Sequence, residues 1–159
     1  MNNTKAKDLL SYSNIVAIGL WEPFNKKYPI LINKISGDKL FKWDFFIKIA
    51  IIWCAVSEMK IYLPEKEWRE LLKIIEEQTI KWNPVSTNAI KDLNNFMASY
   101  KNKIDDPSSL EEAMRFTRLL VGTWIIWNLT EKAKIQDEAE ISNAIGTVIY
   151  NSVNGYWVI

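Results

Sequence analysis

Apolar positions recur along most of the chain at the three-to-four-residue spacing of an α-helix. The most regular case begins at Pro64, a residue suited to the first turn of a helix, and ends at Asn83-Pro84. Glu65 and Glu67 lie in its first turn, where the helix dipole favours negative charge. The positions that we expect on its buried face are Trp68, Leu71, Leu72, Ile75, Thr79 and Trp82.

The longest apolar stretches are too short to cross a membrane. The sequence FFIKIAIIWCAV at 45–56 is the most apolar part of the chain, and Lys48 interrupts it. The other candidate is LLVGTWIIWNLT at 119–130. A membrane-spanning helix needs about 20 mostly apolar residues. We therefore predict that both stretches are buried within the protein, and we expect no membrane partner.

The pattern around 45–56 predicts a helix at the centre of the fold. On a helical projection the apolar side chains gather on one side: Phe45, Phe46, Ile49, Ile52, Trp53 and Val56. The polar side chains form a narrow stripe near the opposite side: Asp44, Lys48 and Glu58. A helix with so narrow a polar face packs on most of its circumference. We predict a buried central helix over about 39–62, with Asp38 as its N-cap.

Start and stop signals place further helices on both sides of the central one. A first helix is predicted over 5–21, and Pro23 is expected to end it. Ser86 or Thr87 can cap a helix after the Asn83-Pro84 break. Residues 24–36 can form either a short strand or a helical turn, and the pattern does not decide between them.

The last third of the chain predicts two more helices. Ser108 with Glu111, or Ser109 with Glu112, fits the capping box that begins a helix. Asp137 precedes a final helix whose apolar positions are again in phase. Together these signals predict an all-α fold with six or seven helices.

We expect these helices to form one single-domain bundle over residues 1–159. A chain of 159 residues can bury a substantial core, and no Ser/Gly/Pro-rich run offers a linker. The apolar run YWVI at 156–159 is predicted to dock against the bundle, because it gains nothing by remaining in water. Gly122 lies in the middle of an apolar helix, where glycine costs about 1 kcal/mol relative to alanine. It therefore predicts a close approach of another helix.

Tryptophan is abundant, with eight in the chain. The four that fall on the inferred inner faces are predicted to be core residues: Trp53, Trp68, Trp82 and Trp124. Trp43 and Trp127 are less clearly placed by the pattern. Because tryptophan is enriched where proteins bind one another, Trp127 is a candidate contact for a partner.

The composition excludes several kinds of catalysis. The chain contains no histidine, so Ser-His-Asp and Cys-His mechanisms are impossible, and a zinc site would depend on carboxylates. Neither GxGxxG nor GxxxxGK[ST] occurs, so no phosphate-binding loop is predicted. We interpret the single Cys54 as a small buried hydrophobic residue, because nothing nearby in the sequence would lower its pKa. We expect no cofactor, no bound metal and no catalytic residues.

Charge and cysteine content bear on partners and compartment. The formal net charge is +1, which gives no reason to expect a nucleic-acid partner. One cysteine allows no intrachain disulfide, and the first residues lack the pattern of a secretory signal. These features predict a cytoplasmic protein.

A pair of carboxylates supports an alternative function. Glu67 and Glu70 are three residues apart on a predicted helix, so they can share a face and bind Mg²⁺. This ExxE resembles the first half of the motif of all-α nucleotide pyrophosphohydrolases of the MazG kind. The resemblance implies a Mg²⁺-dependent hydrolase acting on nucleotides. The ExxD that forms the second half of that motif does not follow at a useful distance.

Two further acidic groups open the last two predicted helices. Glu111 and Glu112 open one helix, and the other opens with Asp137, Glu138 and Glu140. The helix dipole is a sufficient local reason for all five. If antiparallel packing brings neighbouring helix ends together, they would also form an acidic patch for a basic partner.

These five acids and Trp127 are the predicted partner-binding residues. Since the chain lacks the residues of the common catalytic mechanisms, we favour a non-catalytic module that binds another protein. Small bacterial or phage inhibitors, such as immunity proteins that neutralise a toxin, fit this size and composition.

Overall fold

The computed structural model describes residues 2–101 and 110–158, and within these ranges every regular element is an α-helix. This confirms the predicted all-α bundle. The candidate caps Ser108 and Ser109 lie outside the described residues. The helices are α1 (Asn2–Lys27), α2 (Pro29–Lys34), α3 (Lys39–Tyr62), α4 (Glu65–Trp82), α5 (Ser86–Lys101), α6 (Leu110–Thr130) and α7 (Glu138–Val153).

Helix α3 is the centre of the bundle, as predicted. It packs against α1, α4, α5, α6 and α7, and its buried residues extend from Trp43 to Met59. Its first turn is capped by Asp38, whose carboxylate accepts a hydrogen bond from the backbone N–H of Phe41 at 3.1 Å. The cap and the apolar run together explain why the observed bounds of α3 agree with the prediction.

The polar stripe of α3 is covered as well. Lys48 and Glu58 are only 7% and 6% exposed. The Lys48 ammonium lies 4.1 Å from the ring centroid of Trp82 on α4. A Glu58 carboxylate oxygen accepts a hydrogen bond from the backbone N–H of Gly155 at 3.1 Å. Lys48 and Glu58 therefore each have a specific partner, which offsets part of the cost of burying them.

The first helix is longer than predicted, because Pro23 does not end it. Helix α1 continues through Pro23 to Lys27. A proline ring crowds the carbonyl four residues earlier, which here belongs to Gly19. Gly19 is exposed, and a Cβ placed there would have nothing within 4 Å. The next residue, Phe24, is buried against Trp43 with the ring centroids 5.7 Å apart, and this packing holds the last turn in place.

The undecided stretch 24–36 is mostly helical and contains no strand. It contains the last turn of α1 and the short helix α2, which has Pro29 in its first turn. The backbone N–H of Ser36 then donates to the carbonyl of Leu129 at 3.1 Å. This bond joins the segment before α3 to the end of α6.

Helices α6 and α7 form a close antiparallel pair. A Cβ placed on Gly122 would lie 1.7 Å from the carbonyl oxygen of Ser142, and one placed on Gly146 would lie 1.8 Å from that of Arg118. Residue numbers therefore increase along α6 while those of the facing residues in α7 decrease, as in an antiparallel pair. The close helix approach predicted from Gly122 is confirmed, and Gly146 makes the same contact from the other helix.

The most deeply buried tryptophans are not all those that the pattern predicted as core residues. Trp124 is buried, but Trp53, Trp68 and Trp82 are half-buried at the edges of the core. Trp43, which the pattern did not place, is fully buried and donates its indole N–H to the carbonyl of Ala17 at 3.0 Å. The pattern predicted the helical spacing along α3. Which of its side chains are most buried depends instead on which helices pack around it.

The end of the chain docks as predicted for two of its four residues. Trp157 is buried and donates its indole N–H to the carbonyl of Ala55 at 2.7 Å. Tyr156 packs on Tyr12, with the ring centroids 5.3 Å apart. Val158 is exposed, contrary to the prediction, and Ile159 lies outside the described residues. Across the described ranges, no helix combines the length and apolar character needed to cross a bilayer.

Candidate functional site

A pocket of about 430 Å³ lies between α5 and α6. Helix α5 contributes residues at four-residue spacing, and α6 contributes residues three and four apart, so each set lies on one helical face. The turn after α6 contributes one more. The described residues that line this α5–α6 pocket are Asp92, Phe96, Tyr100, Trp124, Trp127, Asn128 and Lys132.

Aromatic rings form the walls of the pocket. The rings of Phe96 and Tyr100 are tilted against each other with centroids 4.8 Å apart. Phe96 meets Trp127 edge to face at 5.7 Å. On the other side, buried Trp124 packs edge to face on Phe46 of α3 at 5.5 Å. The walls are thus continuous with the core, which fixes the position of the rings.

Two polar groups are held at fixed positions in the pocket by Trp124. Its indole N–H donates to Oδ2 of Asp92 at 2.9 Å. Its backbone carbonyl accepts a hydrogen bond from the side-chain amide N–H of Asn128 at 2.8 Å. An incoming donor would therefore meet the carboxylate of Asp92 and the amide oxygen of Asn128.

The turn after α6 brings a cation back over the pocket. Glu131 and Lys132 have φ values of 53° and 61°, a left-handed conformation that non-glycine residues adopt only at a cost. The backbone N–H of Lys132 donates to the carbonyl of Trp127 at 3.0 Å. Its ammonium lies 5.5 Å from the centroid of the Trp127 ring. The sharp turn places a positive charge over an aromatic wall.

The structure places Trp127 in this pocket but separates the two acidic groups. Because α6 and α7 are antiparallel, the acids that open α6 lie beside the end of α7. Glu138 faces a position near the other end of α6 from Glu112. At a rise of 1.5 Å per residue, that position and Glu112 are about 20 Å apart along the helix. Asp137, Glu138 and Glu140 lie at the Trp127 end of the pair, whereas Glu111 and Glu112 lie at the other. Their role in binding stays a prediction, but they do not form one patch.

Glu67 and Glu70, the carboxylates of the alternative hydrolase function, lie in different surroundings. Oε1 of Glu67 accepts a hydrogen bond from the ammonium of Lys5 on α1 at 2.9 Å, and Glu70 is exposed. In the part of the chain that the structure describes, no three acidic or cysteine side chains come together as a possible metal site. Glu67 is therefore engaged by an ion pair rather than by a set of carboxylates.

The buried titratable groups of α3 lie away from the α5–α6 pocket. Cys54 is 3% exposed, and burial, with a contribution from the Glu58 carboxylate, raises the pKa of its thiol to about 12. The thiol is thus protonated at neutral pH, which confirms its interpretation as a buried hydrophobic residue. Burial also raises the pKa of Glu58 above its ordinary value, although the hydrogen bond from Gly155 opposes this shift.

Sequence reasoning identified Trp127 but missed most of the residues around it. Asp92, Phe96 and Tyr100 recur every fourth residue, and this spacing was the available signal. It indicates a shared face on α5 but not which helix that face meets. The chain matches no family model, no curated protein and no solved structure at a significant level.

Proposed function

We propose that this protein is a non-catalytic module that binds another protein, and that the α5–α6 pocket receives part of the partner. The observation that supports this most is Trp127, a half-buried tryptophan at the rim of an aromatic pocket. Tryptophan and tyrosine are enriched at the few positions that dominate the binding energy of protein interfaces. Such positions become surrounded by packed side chains that exclude water once the partner is bound, and the half-buried Trp127 in an open pocket leaves room for a partner to complete that packing.

The chemistry of the chain supports a binding function without catalysis. The sequence contains no histidine, and its one thiol is buried and protonated. A cytoplasmic inhibitor from a bacterium or phage, of the immunity-protein type, is the kind of protein that we propose. Such a protein acts by occupying a surface of its target, so it needs a rigid contact site rather than reactive groups.

Capture of a partner from native lysate tests the proposal. The tagged protein is compared with Trp127→Ala and with Trp68→Ala, a matched control at another half-buried tryptophan that does not line the pocket. We expect a protein retained by the wild type and by Trp68→Ala to be lost from Trp127→Ala. Thermal melting of each variant shows whether it is folded. Equal capture by a folded Trp127→Ala variant would contradict the proposal.

A further inference from the structure

We infer that the α5–α6 pocket binds a cationic group, the guanidinium of an arginine or the ammonium of a lysine on the partner protein. This inference rests on the proposed function and specifies the chemistry that the pocket recognises. It is carried by three features of the pocket: its aromatic faces, its fixed acceptors and the position of its own lysine.

The first feature is the aromatic face of Trp127. The face of an indole ring attracts a cation because its π-electrons carry negative charge, and tryptophan does so better than other aromatic residues. The Lys132 ammonium already lies 5.5 Å from the ring centroid. The geometry therefore shows a cation on this face, supplied by the chain itself.

The second feature is the pair of acceptors. Oδ2 of Asp92 is held by the Trp124 indole, so the carboxylate is positioned before a ligand arrives. The amide of Asn128 is held in a similar way through its nitrogen. A guanidinium has several N–H donors in one plane and forms strong, charge-assisted hydrogen bonds to a carboxylate. Acceptors beside aromatic faces suit a cation and do not suit an anion.

The third feature is that Lys132 is the one cation among the described lining residues. It is exposed and lies on a turn, so its side chain can leave the ring when another cation arrives. We infer that Lys132 occupies the site in the absence of the partner and competes with it. Removing the Lys132 charge should then strengthen the binding of a cation. If the pocket instead bound an anion, the same change would weaken binding.

The test uses capped single residues as probes of the full-length protein. Acetyl-arginine-amide is titrated while the indole N–H signals of the tryptophans are followed in ¹⁵N–¹H correlation spectra. Acetyl-citrulline-amide, which has nearly the same shape but no charge, is the matched ligand. We expect saturable shifts of the Trp124 and Trp127 signals with arginine, and at least about fivefold weaker binding of citrulline.

Three variants assign the effect to named groups. Asp92→Asn retains an acceptor for Trp124 and should weaken arginine binding by at least about threefold. Lys132→Gln should strengthen it, by about twofold or more. Glu70→Gln removes an exposed carboxylate on α4 and should change nothing. Equal binding of citrulline, or weaker arginine binding by Lys132→Gln, would overturn the inference.

The outcomes separate this inference from the proposed function. If partner capture depends on Trp127 but arginine does not bind, the pocket is a protein-binding site of another chemistry and only the inference fails. If arginine binds as expected but capture is independent of Trp127, the cation site stands and the proposed function fails.

Discussion

Gly122 of α6 faces the carbonyl oxygen of Ser142 of α7 so closely that a Cβ at position 122 would lie 1.7 Å from it. That carbonyl is backbone, so no side-chain rotation can relieve the contact. A side chain at position 122 would have to move one helix away from the other. The close pairing of α6 and α7 therefore depends on the absence of a side chain at this position.

Gly122→Ala should destabilise the protein despite the better helix propensity of alanine. Inserting a methyl group into a packed interface typically costs about 1–3 kcal/mol, and the backbone contact here favours the upper end. Urea denaturation measures the change in the free energy of unfolding. Gly19→Ala is the matched control, because it lies in a helix with nothing within 4 Å of the added Cβ. It should stabilise by about 0.5–1 kcal/mol. Equal urea midpoints for Gly122→Ala and wild type would contradict the close packing of α6 on α7 at this position.

Trp43→Ala should be more damaging than Trp53→Ala. Trp43 is fully buried and hydrogen-bonded to Ala17, so its truncation should cost about 3–5 kcal/mol. Trp53 is half-buried and donates its indole N–H to the exposed side chain of Asn94, so its truncation should cost less. Chemical denaturation of the two variants measures the difference. A larger loss of stability for Trp53→Ala would support the orientation of α3 predicted from its periodicity, with Trp53 facing the core.

Glu58 should make the protein less stable as the pH rises from acidic to neutral. Burial raises the pKa of this carboxyl above its ordinary value of 4.5, so the folded state holds the proton more tightly than the unfolded state. Unfolding therefore becomes easier as the pH rises from that value through the raised pKa. Glu58→Gln keeps an acceptor for the Gly155 N–H and removes the titration. The stability of Glu58→Gln, measured by denaturation across this pH range, should therefore fall less with rising pH than that of wild type. Parallel stability profiles for the two proteins would show that Glu58 does not cause the pH dependence.

Millimolar Mg²⁺ should leave the melting temperature unchanged. An ion bound at a carboxylate site would stabilise the folded state by mass action. Glu67 is instead paired with Lys5, and Glu67→Gln should cost at most about 1 kcal/mol, as is usual for a partly exposed ion pair. Differential scanning fluorimetry with and without Mg²⁺ measures both effects. A saturable upward shift that Glu67→Gln with Glu70→Gln abolishes would support the hydrolase alternative.

The parts of the fold that the sequence predicted are those governed by local rules. The bounds of α3 and α4 follow from their apolar spacing, from Asp38 and from the Asn83-Pro84 break. Pro23 was misjudged because its local effect is outweighed by the packing of Phe24 on Trp43, a contact between helices. Local rules cannot supply such contacts.

The candidate site depends even more on contacts between helices. Asp92 and Trp124 are far apart in the sequence, and only the packing of α5 on α6 brings the carboxylate to the indole. In the same way, the antiparallel α6–α7 pair separates acids that the sequence allowed to be neighbours. Helical periodicity gives the faces, but it does not give their partners.

The dissociation constant of the complex with the captured partner tests the central proposal most directly. Isothermal titration calorimetry would compare wild type, Trp127→Ala and Trp68→Ala, with melting curves to show that each is folded. We expect Trp127→Ala to weaken binding by about 30-fold or more, the effect of removing a dominant interface residue. Trp68→Ala should bind within about twofold of wild type, since Trp68 does not line the pocket. Unchanged affinity for a folded Trp127→Ala variant would show that the partner does not use the α5–α6 pocket.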